Sequence, residues 1–505
     1  MIEPAFDAFA SGYAQGRAQL VFTRLVADLE TPVSAFLKLG DGKDNAFLLE
    51  SVQGGETRGR YSIIGLKPDL IWRCRNGVAE INRNALTNTD NFTPESAKPL
   101  LSLRALTKET QAAIPSGLPP MATGLFGYLG YDMARQVENL PNPPPDTLGL
   151  PDAILLRPTI TAIFDSVKDE IIVITPVWID AKIDAKAAYA RATARLDEAV
   201  AALEAPAPHP APVPANMPTG VAVESNMTKD EYFAVVARAK EYIMAGDVFQ
   251  VVPSQRFRRP FTLPPFSLYR ALRRLNPSPY LYYLSMPGFQ IVGSSPEVLV
   301  RLRDGKVTIR PIAGTRWRGK TPEEDKALAE DLMSDPKERA EHLMLIDLGR
   351  NDVGRIAKTG AVKVTDSFFI ERYSHVMHLV SNVEGEIRDG LDAVDALAAG
   401  LPAGTLTGAP KIRAMEIIDE FEKEKRGAAY AGAVGYFAAD GSMDTCIVLR
   451  TALVKDGIMY VQAGGGVVAD SVPEAEYQET INKSKALLAA AEEAVRFASA
   501  AKKGQ

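Results

Sequence analysis

Ala433-Val434-Gly435-Tyr436-Phe437-Ala438, then Asp440-Gly441, then the run 444–454 (Asp-Thr-Cys-Ile-Val-Leu-Arg-Thr-Ala-Leu-Val), then Asp456-Gly457 and Ile458-Met459-Tyr460-Val461-Gln462 follow one another in the chain. Asp-Gly readily takes the positive φ that tight hairpin turns require. Residues 430–463 therefore read as an antiparallel meander rather than as crossover units. Runs 298–302 and 307–312 flank Asp304-Gly305 in the same way, and runs 159–164 and 170–175 flank the polar turn 165–169. The expected fold class is α+β: large, mostly antiparallel sheets packed with helices. No Walker loop, no GxGxxG after a strand, no GxSxG elbow and no solenoid-period repeat interrupts this reading.

The 505 residues, 46% hydrophobic and 24% charged, are globular in composition. Six prolines, Pro206, Pro208, Pro210, Pro212, Pro214 and Pro218, mark an exposed linker, because each removes a backbone donor. Just before it, Tyr189, Leu196, Val200 and Leu203 recur at helical spacing. The division expected is a sheet-rich N-terminal part over 1–204, a Pro-rich linker over 205–224 and a C-terminal part over 225–505. A formal net charge of −6 supplies no global basic field for nucleic acid or an anionic membrane. Cys74 and Cys446 are too few for a disulfide framework or a structural zinc site and suit a reducing cytoplasm. No apolar run reaches the ~18 residues of a spanning helix, and Met1-Ile2-Glu3-Pro4 lacks the order of a signal peptide.

Two acidic helices stand out. Asp335-Pro336-Lys337-Glu338 opens one as N-cap, N1 and capping-box residue, and the run 343–348 behind it is apolar nearly all round, so Glu341 and His342 enter a buried helix. Ser471-Val472-Pro473-Glu474 opens the other with a second capping box, leaving Glu476 and Glu479 on one face and Lys483 a turn beyond, at ordinary salt-bridge spacing from Glu479. Paired glutamates on two helices, without a matching excess of His or Cys, are hard oxygen ligands that suit Mg²⁺. Gly464-Gly465-Gly466, ahead of the second helix, reads equally as an anion nest or a flexible turn. Arg450 interrupts an apolar strand, and its partner is left open between a ligand carboxylate and a structural Glu. His378 alternates with Val376 and Val380, while His375 faces the other way; each taken alone reads as a satisfied core histidine.

Several ordered motifs then fall into one pattern. They are Phe249-Gln250-Val251-Val252-Pro253-Ser254, Asn276-Pro277-Ser278-Pro279-Tyr280, Gly293-Ser294-Ser295-Pro296-Glu297, Pro311-Ile312-Ala313-Gly314-Thr315-Arg316, Asp347-Leu348-Gly349-Arg350-Asn351-Asp352 and Gly404-Thr405-Leu406-Thr407-Gly408-Ala409-Pro410-Lys411. Over about 225–490 the chain resembles the chorismate-utilising enzymes, and within them the anthranilate synthase component I group. The N-terminal part adds Leu48-Leu49-Glu50-Ser51 and Gly59-Arg60-Tyr61-Ser62-Ile63-Ile64-Gly65. The resemblance implies the chorismate-utilising fold and a lyase that turns chorismate and ammonia into anthranilate and pyruvate with Mg²⁺, the first committed step towards tryptophan. It implies Mg²⁺ near Glu341 and Glu479, with Glu338 and Glu476 in support. Tyr430, Arg450, Lys483 and Gly464, Gly465 and Gly466 would hold substrate, with Ala313, Gly314 and Thr315 in the same wall and Thr405 nearby. Glu297 would protonate the departing ring hydroxyl, and His378 would assist loss of pyruvate.

Gln250 stands where water-adding relatives place a lysine, and Ala313 where some aminodeoxychorismate synthases place a nucleophilic lysine. Neither a neutral amide nor a methyl group does that chemistry. Trp317 departs from the family's usual proline. Neither cysteine lies in a Gly-flanked elbow, so the glutaminase is expected on a separate glutamine amidotransferase subunit, in a heterotetramer of two large and two small chains. Glu50, Ser51 and Arg60, completed by Pro279, Tyr280 and Leu281, resemble the family's tryptophan feedback site, where Glu50 would take the ligand ammonium. Two other readings compete: an aminodeoxychorismate synthase, separable by product, and a non-catalytic carboxylate-binding subunit, which should have lost Glu297, Glu341, His378 and Glu479.

Overall fold

The structure, a computed structural model, describes residues 1–53, 57–206, 208, 220–373 and 376–500. His375 and most of the Pro-rich stretch lie outside the described residues. Strands pair antiparallel throughout, and all but the short pair Gln250–Val251 and Gly408–Ala409 join one hydrogen-bonded network. Helices pack over it, and no described helix is long and apolar enough to cross a membrane. Two of the Asp-Gly turns form as expected, Asp304 and Gly305 with φ of 50° and 71° and Asp456 and Gly457 with 51° and 73°, while at Asp440-Gly441 only the glycine, at 87°, is positive. Two consecutive positive φ values define the turn whose twist matches its strands.

Strands of the first 204 residues pair directly with strands after the Pro-rich stretch. Ala46–Gln53 lies against Tyr280–Met286, with Glu50 opposite Leu281, and Gly124–Leu129 lies against Ala433–Ala438. Aromatic contacts cross the same line: Phe126 meets Tyr436 at 5.6 Å, and Phe36 meets Phe266 at 4.6 Å. Offset and edge contacts at these spacings add to the area they bury.

The expected meander differs in one informative place. The run 444–454 is two strands, Met443–Ile447 and Thr451–Lys455, which pair with other strands and not with each other. The neighbouring chain breaks at the same level, between Phe289–Ser295 and Val298–Arg303, because Pro296 has no ladder donor. Two bonds lace the breaks together: Ser294 N–H donates to Arg450 O (3.2 Å) and Ile447 N–H to Glu297 O (3.0 Å). Arg450 sits at φ 47°, a left-handed conformation that costs a non-glycine residue roughly 1–2 kcal/mol. Similarly, the run 307–312 ends as a strand at Ile309 and resumes as Ile312–Trp317 beyond Pro311.

Candidate active site

The paired breaks turn Glu297 and Arg450 off the sheet and into one cavity of about 230 Å³. The strand Ile312–Trp317 contributes Ala313, Gly314 and Thr315, its partner strand Val376–Glu386 brings His378, and the loop before Gly408 brings Thr405. Gln250, Tyr430, Gly466, Glu341, Glu479 and Lys483 complete the set of anticipated residues in the wall. Gly464, Gly465, Glu338 and Glu476 are placed just behind it: Lys483 Nζ donates to Gly464 O (2.9 Å), and methyl groups built on Gly314 and Gly465 would lie 2.9 Å from carboxylate oxygens of Glu338 and Glu476. The anion nest does not form as three free donors, since Gly464 ends the strand Ile458–Gly464 and Gly465 N–H is taken by Pro253 O. A methyl group on Gly466 would come within 2.2 Å of Gln250 Nε2, so glycine there leaves the Gln250 amide its place in the wall.

Glu297 is buried, and burial pushes its carboxyl up to about 8 against the hydrogen bond from Thr405 Oγ1 (3.4 Å) and the charges of Arg450 and Lys483. It is therefore a protonated acid at neutral pH. His378 Nδ1 lies 3.0 Å from Gly314 O, and a carbonyl only accepts, so Nδ1 carries the proton and Nε2 does not. Burial, aided by the Arg450 charge, lowers this imidazole to about 4, so it is neutral at pH 7. His378 is buried and satisfied as a core histidine would be, and it lines the cavity as well. Burial also lowers Arg450, and no carboxylate within ion-pair distance compensates it among the described residues.

The capping boxes resolve differently from expectation. Asp335 caps its helix by accepting from the N–H groups of Lys337 and Glu338, but the Glu338 carboxylate turns away to Arg316 (3.3 Å). At the second helix Ser471 Oγ donates to Glu476 Oε1 (2.7 Å), while Glu474 leaves to pair with Lys229 (2.6 Å). Pro473 starts that helix, which puts Ser471 one residue too early to cap it. The apolar run 343–348 is not buried all round, since Leu343 is 53% exposed. Glu479 makes the expected bridge to Lys483 (2.7 Å) and faces the cavity as well. Burial raises Glu341, with the charges of Glu338 and Glu479 adding to it, so these carboxylates share one field. Among the described residues no three His, Cys, Asp or Glu side chains converge tightly enough to cage a metal alone.

A profile of chorismate binding enzymes matches residues 45–489. Over 99% of this chain and the whole of the relative, it is 58% identical to anthranilate synthase component 1 of Cereibacter sphaeroides. The chain belongs to the chorismate-binding enzyme family. It is also 50% identical to anthranilate synthase component 1 of Pseudomonas aeruginosa over 95% of this chain and 96% of that one. The crystal structure of anthranilate synthase component I from Streptococcus pneumoniae TIGR4, 38% identical, superposes with a TM-score of 0.75 over 92% of this chain and 99% of that one. The protein is thus an enzyme of the chorismate-utilising kind, and its α+β sheets are that family's fold.

This member of the chorismate-binding family has a second, larger cavity of about 610 Å³, lined by all six residues anticipated for a regulator: Glu50, Ser51, Arg60, Pro279, Tyr280 and Leu281. Three of them are already engaged: the Tyr280 hydroxyl donates to Asp444 Oδ1 (3.1 Å) and accepts from Arg301 Nη2 (3.1 Å). Glu50 accepts from Arg273 Nε (2.7 Å), Arg273 Nη2 (2.9 Å) and the Tyr269 hydroxyl, and Arg60 pairs with Asp165 (2.9 Å). Pro296 and Ile312 line both cavities, so a single layer of side chains divides them. Sequence reasoning also missed the buried pair Arg426–Glu422. Arg426 donates to Leu406 O (2.7 Å) and Val252 O (2.6 Å), both in the active-site wall, and lies 5.2 Å over the Tyr430 ring, while Glu422 accepts from Ser254. Its charged surroundings, Glu422-Lys423-Glu424-Lys425-Arg426, look like a solvated turn, so no signal marked it.

Proposed function

We propose that this chain is the large subunit of an anthranilate synthase, a lyase converting chorismate and ammonia into anthranilate and pyruvate. The observation that supports it most is a protonated, buried Glu297 beside an uncompensated Arg450 in one cavity. Chorismate carries two carboxylates and a ring hydroxyl that must leave. Arg450, with Lys483 and Tyr430, offers cationic and phenolic donors to a carboxylate. Glu297 gives its proton to the departing hydroxyl, which leaves as water while ammonia bonds to the ring. The neutral His378, with Nε2 unprotonated, takes the ring proton as the enolpyruvyl carbon–oxygen bond breaks and the ring becomes aromatic, and the released enolate regains that proton at its methylene carbon and departs as pyruvate. Gln250 and Ala313 put no lysine at the two wall positions from which relatives activate water or attack the ring.

The carboxylates fit Mg²⁺. Glu476 Oε2 is buried without a partner, and burial and like charges hold Glu341 and Glu476 above the usual carboxylate range, a strain that a cation relieves. Glu341 and Glu479 would hold it, with Glu338 and Glu476 behind them. Too few ligands converge for an all-protein cage, as expected of an ion completed by water and substrate oxygens. When bound, Mg²⁺ neutralises and orients a substrate carboxylate.

Burial pushes the Cys74 thiol up to about 12 and raises Cys446 further still, so neither is a glutaminase nucleophile. Ammonia then comes from glutamine through a partner amidotransferase, in the proposed cytoplasmic heterotetramer of two large and two small chains. Purified chain with chorismate, Mg²⁺ and ammonium should form equimolar anthranilate and pyruvate by mass spectrometry, lose this activity in EDTA, and fail with glutamine in place of ammonium. Aminodeoxychorismate without pyruvate would replace the reading, and unchanged chorismate would overturn it.

Residues 1–204 are proposed to carry the regulatory share of a tryptophan site in the larger cavity, and residues 225–505 the catalytic part, with the Pro-rich 205–224 joining them. Glu50→Gln should raise the tryptophan concentration for half-inhibition about 10–100-fold in an initial-rate titration, the scale of a hydrogen bond to a charged group lost from a buried site.

A further inference from the structure

Two buried polar atoms behind the carboxylate cluster have no hydrogen-bond partner: the hydroxyl of Tyr232, whose side chain is fully buried, and Glu476 Oε2. The first is a donor in search of an acceptor and the second an acceptor in search of a donor. Both border Gly465, where a methyl group would lie 2.9 Å from Glu476 Oε2 and 3.8 Å from the Tyr232 hydroxyl. The gap between them is therefore open only because residue 465 has no side chain. Solvent does not reach either atom, so each is satisfied by the other or by something brought into the site.

The supporting framework is already in place. Tyr232 belongs to the helix Lys229–Met244 and packs on Tyr477 at 5.9 Å, the residue next to Glu476. Lys240 of the same helix donates to Ser471 O (2.8 Å), and Ser471 Oγ in turn holds Glu476 Oε1 (2.7 Å). One oxygen of Glu476 is thus anchored through Ser471, while the other, on the Tyr232 side of Gly465, has no partner.

We infer that Tyr232 is a positioning residue for the acidic site: its hydroxyl donates to Glu476 Oε2 and, with Ser471, fixes the plane of that carboxylate for the cation. This rests on the metal reading above. Partners that hold a carboxylate behind a metal site typically account for 10–100-fold in metal affinity.

In the metal-free chain, where the hydroxyl has no partner, its removal is expected to cost no stability, whereas the bond to Glu476 Oε2 is made when the cation is bound, so Tyr232→Phe separates positioning from packing. With Mn²⁺ as the probe, EPR titration of the full chain in the presence of chorismate and absence of ammonium should show Tyr232→Phe binding about tenfold more weakly than wild type. Its melting temperature should be unchanged or higher. Gly465→Ala, which fills the gap, should weaken Mn²⁺ at least as much. Mn²⁺ affinity of Tyr232→Phe within twofold of wild type would overturn the inference. If wild-type chain itself binds no Mn²⁺, the metal reading falls and the role of Tyr232 falls with it, whereas wild-type binding that Glu476→Gln abolishes and Tyr232→Phe spares would refute Tyr232 alone.

Discussion

Glu297→Gln should lower the rate of anthranilate formation by about three orders of magnitude while leaving the chain folded and chorismate bound. Burial holds this carboxyl at about 8, so at neutral pH it is mostly the neutral acid, and glutamine reproduces its shape and lack of charge. Ground-state packing and the hydrogen bond from Thr405 survive the change. What disappears is the transferable proton, and a positioned general acid contributes about 10²–10⁴-fold. The loss should therefore appear in kcat with little change in KM, the pattern of an interaction made only in the transition state. The wild-type profile of kcat/KM should fall on the alkaline side with an apparent pKa near 8, and the residual activity of the variant should lack that limb. Stability carries the same signature. Between the unfolded value of about 4.3 and 8 the folded state binds the extra proton, so the contribution of Glu297 is full below pH ~4, declines as pH rises towards 8 and is flat above. Glutamine removes that slope from a pH series of melting temperatures. A variant keeping more than a tenth of wild-type kcat, or an alkaline limb that persists in it, would remove Glu297 from the acid role.

The antiparallel architecture was legible because hairpin chemistry is local: Asp304-Gly305 and Asp456-Gly457 need no tertiary information to adopt two positive φ values. The strand breaks were not. Pro296 announces one, but nothing about Val448-Leu449-Arg450 suggests that an apolar run should abandon its ladder; the left-handed φ of Arg450 is imposed by the neighbouring chain, through Ser294 N–H and Arg450 O. The same limit applies to caps. Asp335 and Ser471 are plausible caps by spacing, but the side chains of Glu338, Glu474 and Glu476 choose partners, Arg316, Lys229 and Ser471, of which only the last is a sequence neighbour.

The site residues were readable through motif resemblance rather than through periodicity, which by itself made His378 a core residue. Arg426 shows the converse. Five alternating charges look solvated, yet Arg426 and Glu422 are 2% and 7% exposed, because the Arg fork satisfies two carbonyls that the active-site loops leave open. A buried polar network of this kind depends on where distant loops meet, and those meetings are a property of the folded chain.

Arg450→Gln is the second large effect expected, and it acts on binding rather than on proton transfer. A half-buried guanidinium without a carboxylate carries a desolvation cost, and among the described residues Arg450 has none within ion-pair distance; burial accordingly lowers its pKa. The φ of 47° adds strain at the same residue. A free protein holding both costs in one side chain has the arrangement of a site built for an anion that arrives later, and both carboxylates of chorismate answer that description. Truncating one partner of a buried charge pair costs about 2–5 kcal/mol, so KM for chorismate should rise by about two to three orders of magnitude. The melting temperature of the free variant should be unchanged or higher, since an uncompensated charge has been removed. The two readouts together exclude the simple alternative: a structural arginine would give a lower melting temperature with KM moved only in proportion to lost folded protein. Chorismate protection of the wild type against thermal unfolding, absent in the variant at equal concentration, would show the same coupling by mass action, and a variant with wild-type KM would leave the substrate carboxylates to Lys483 and Tyr430.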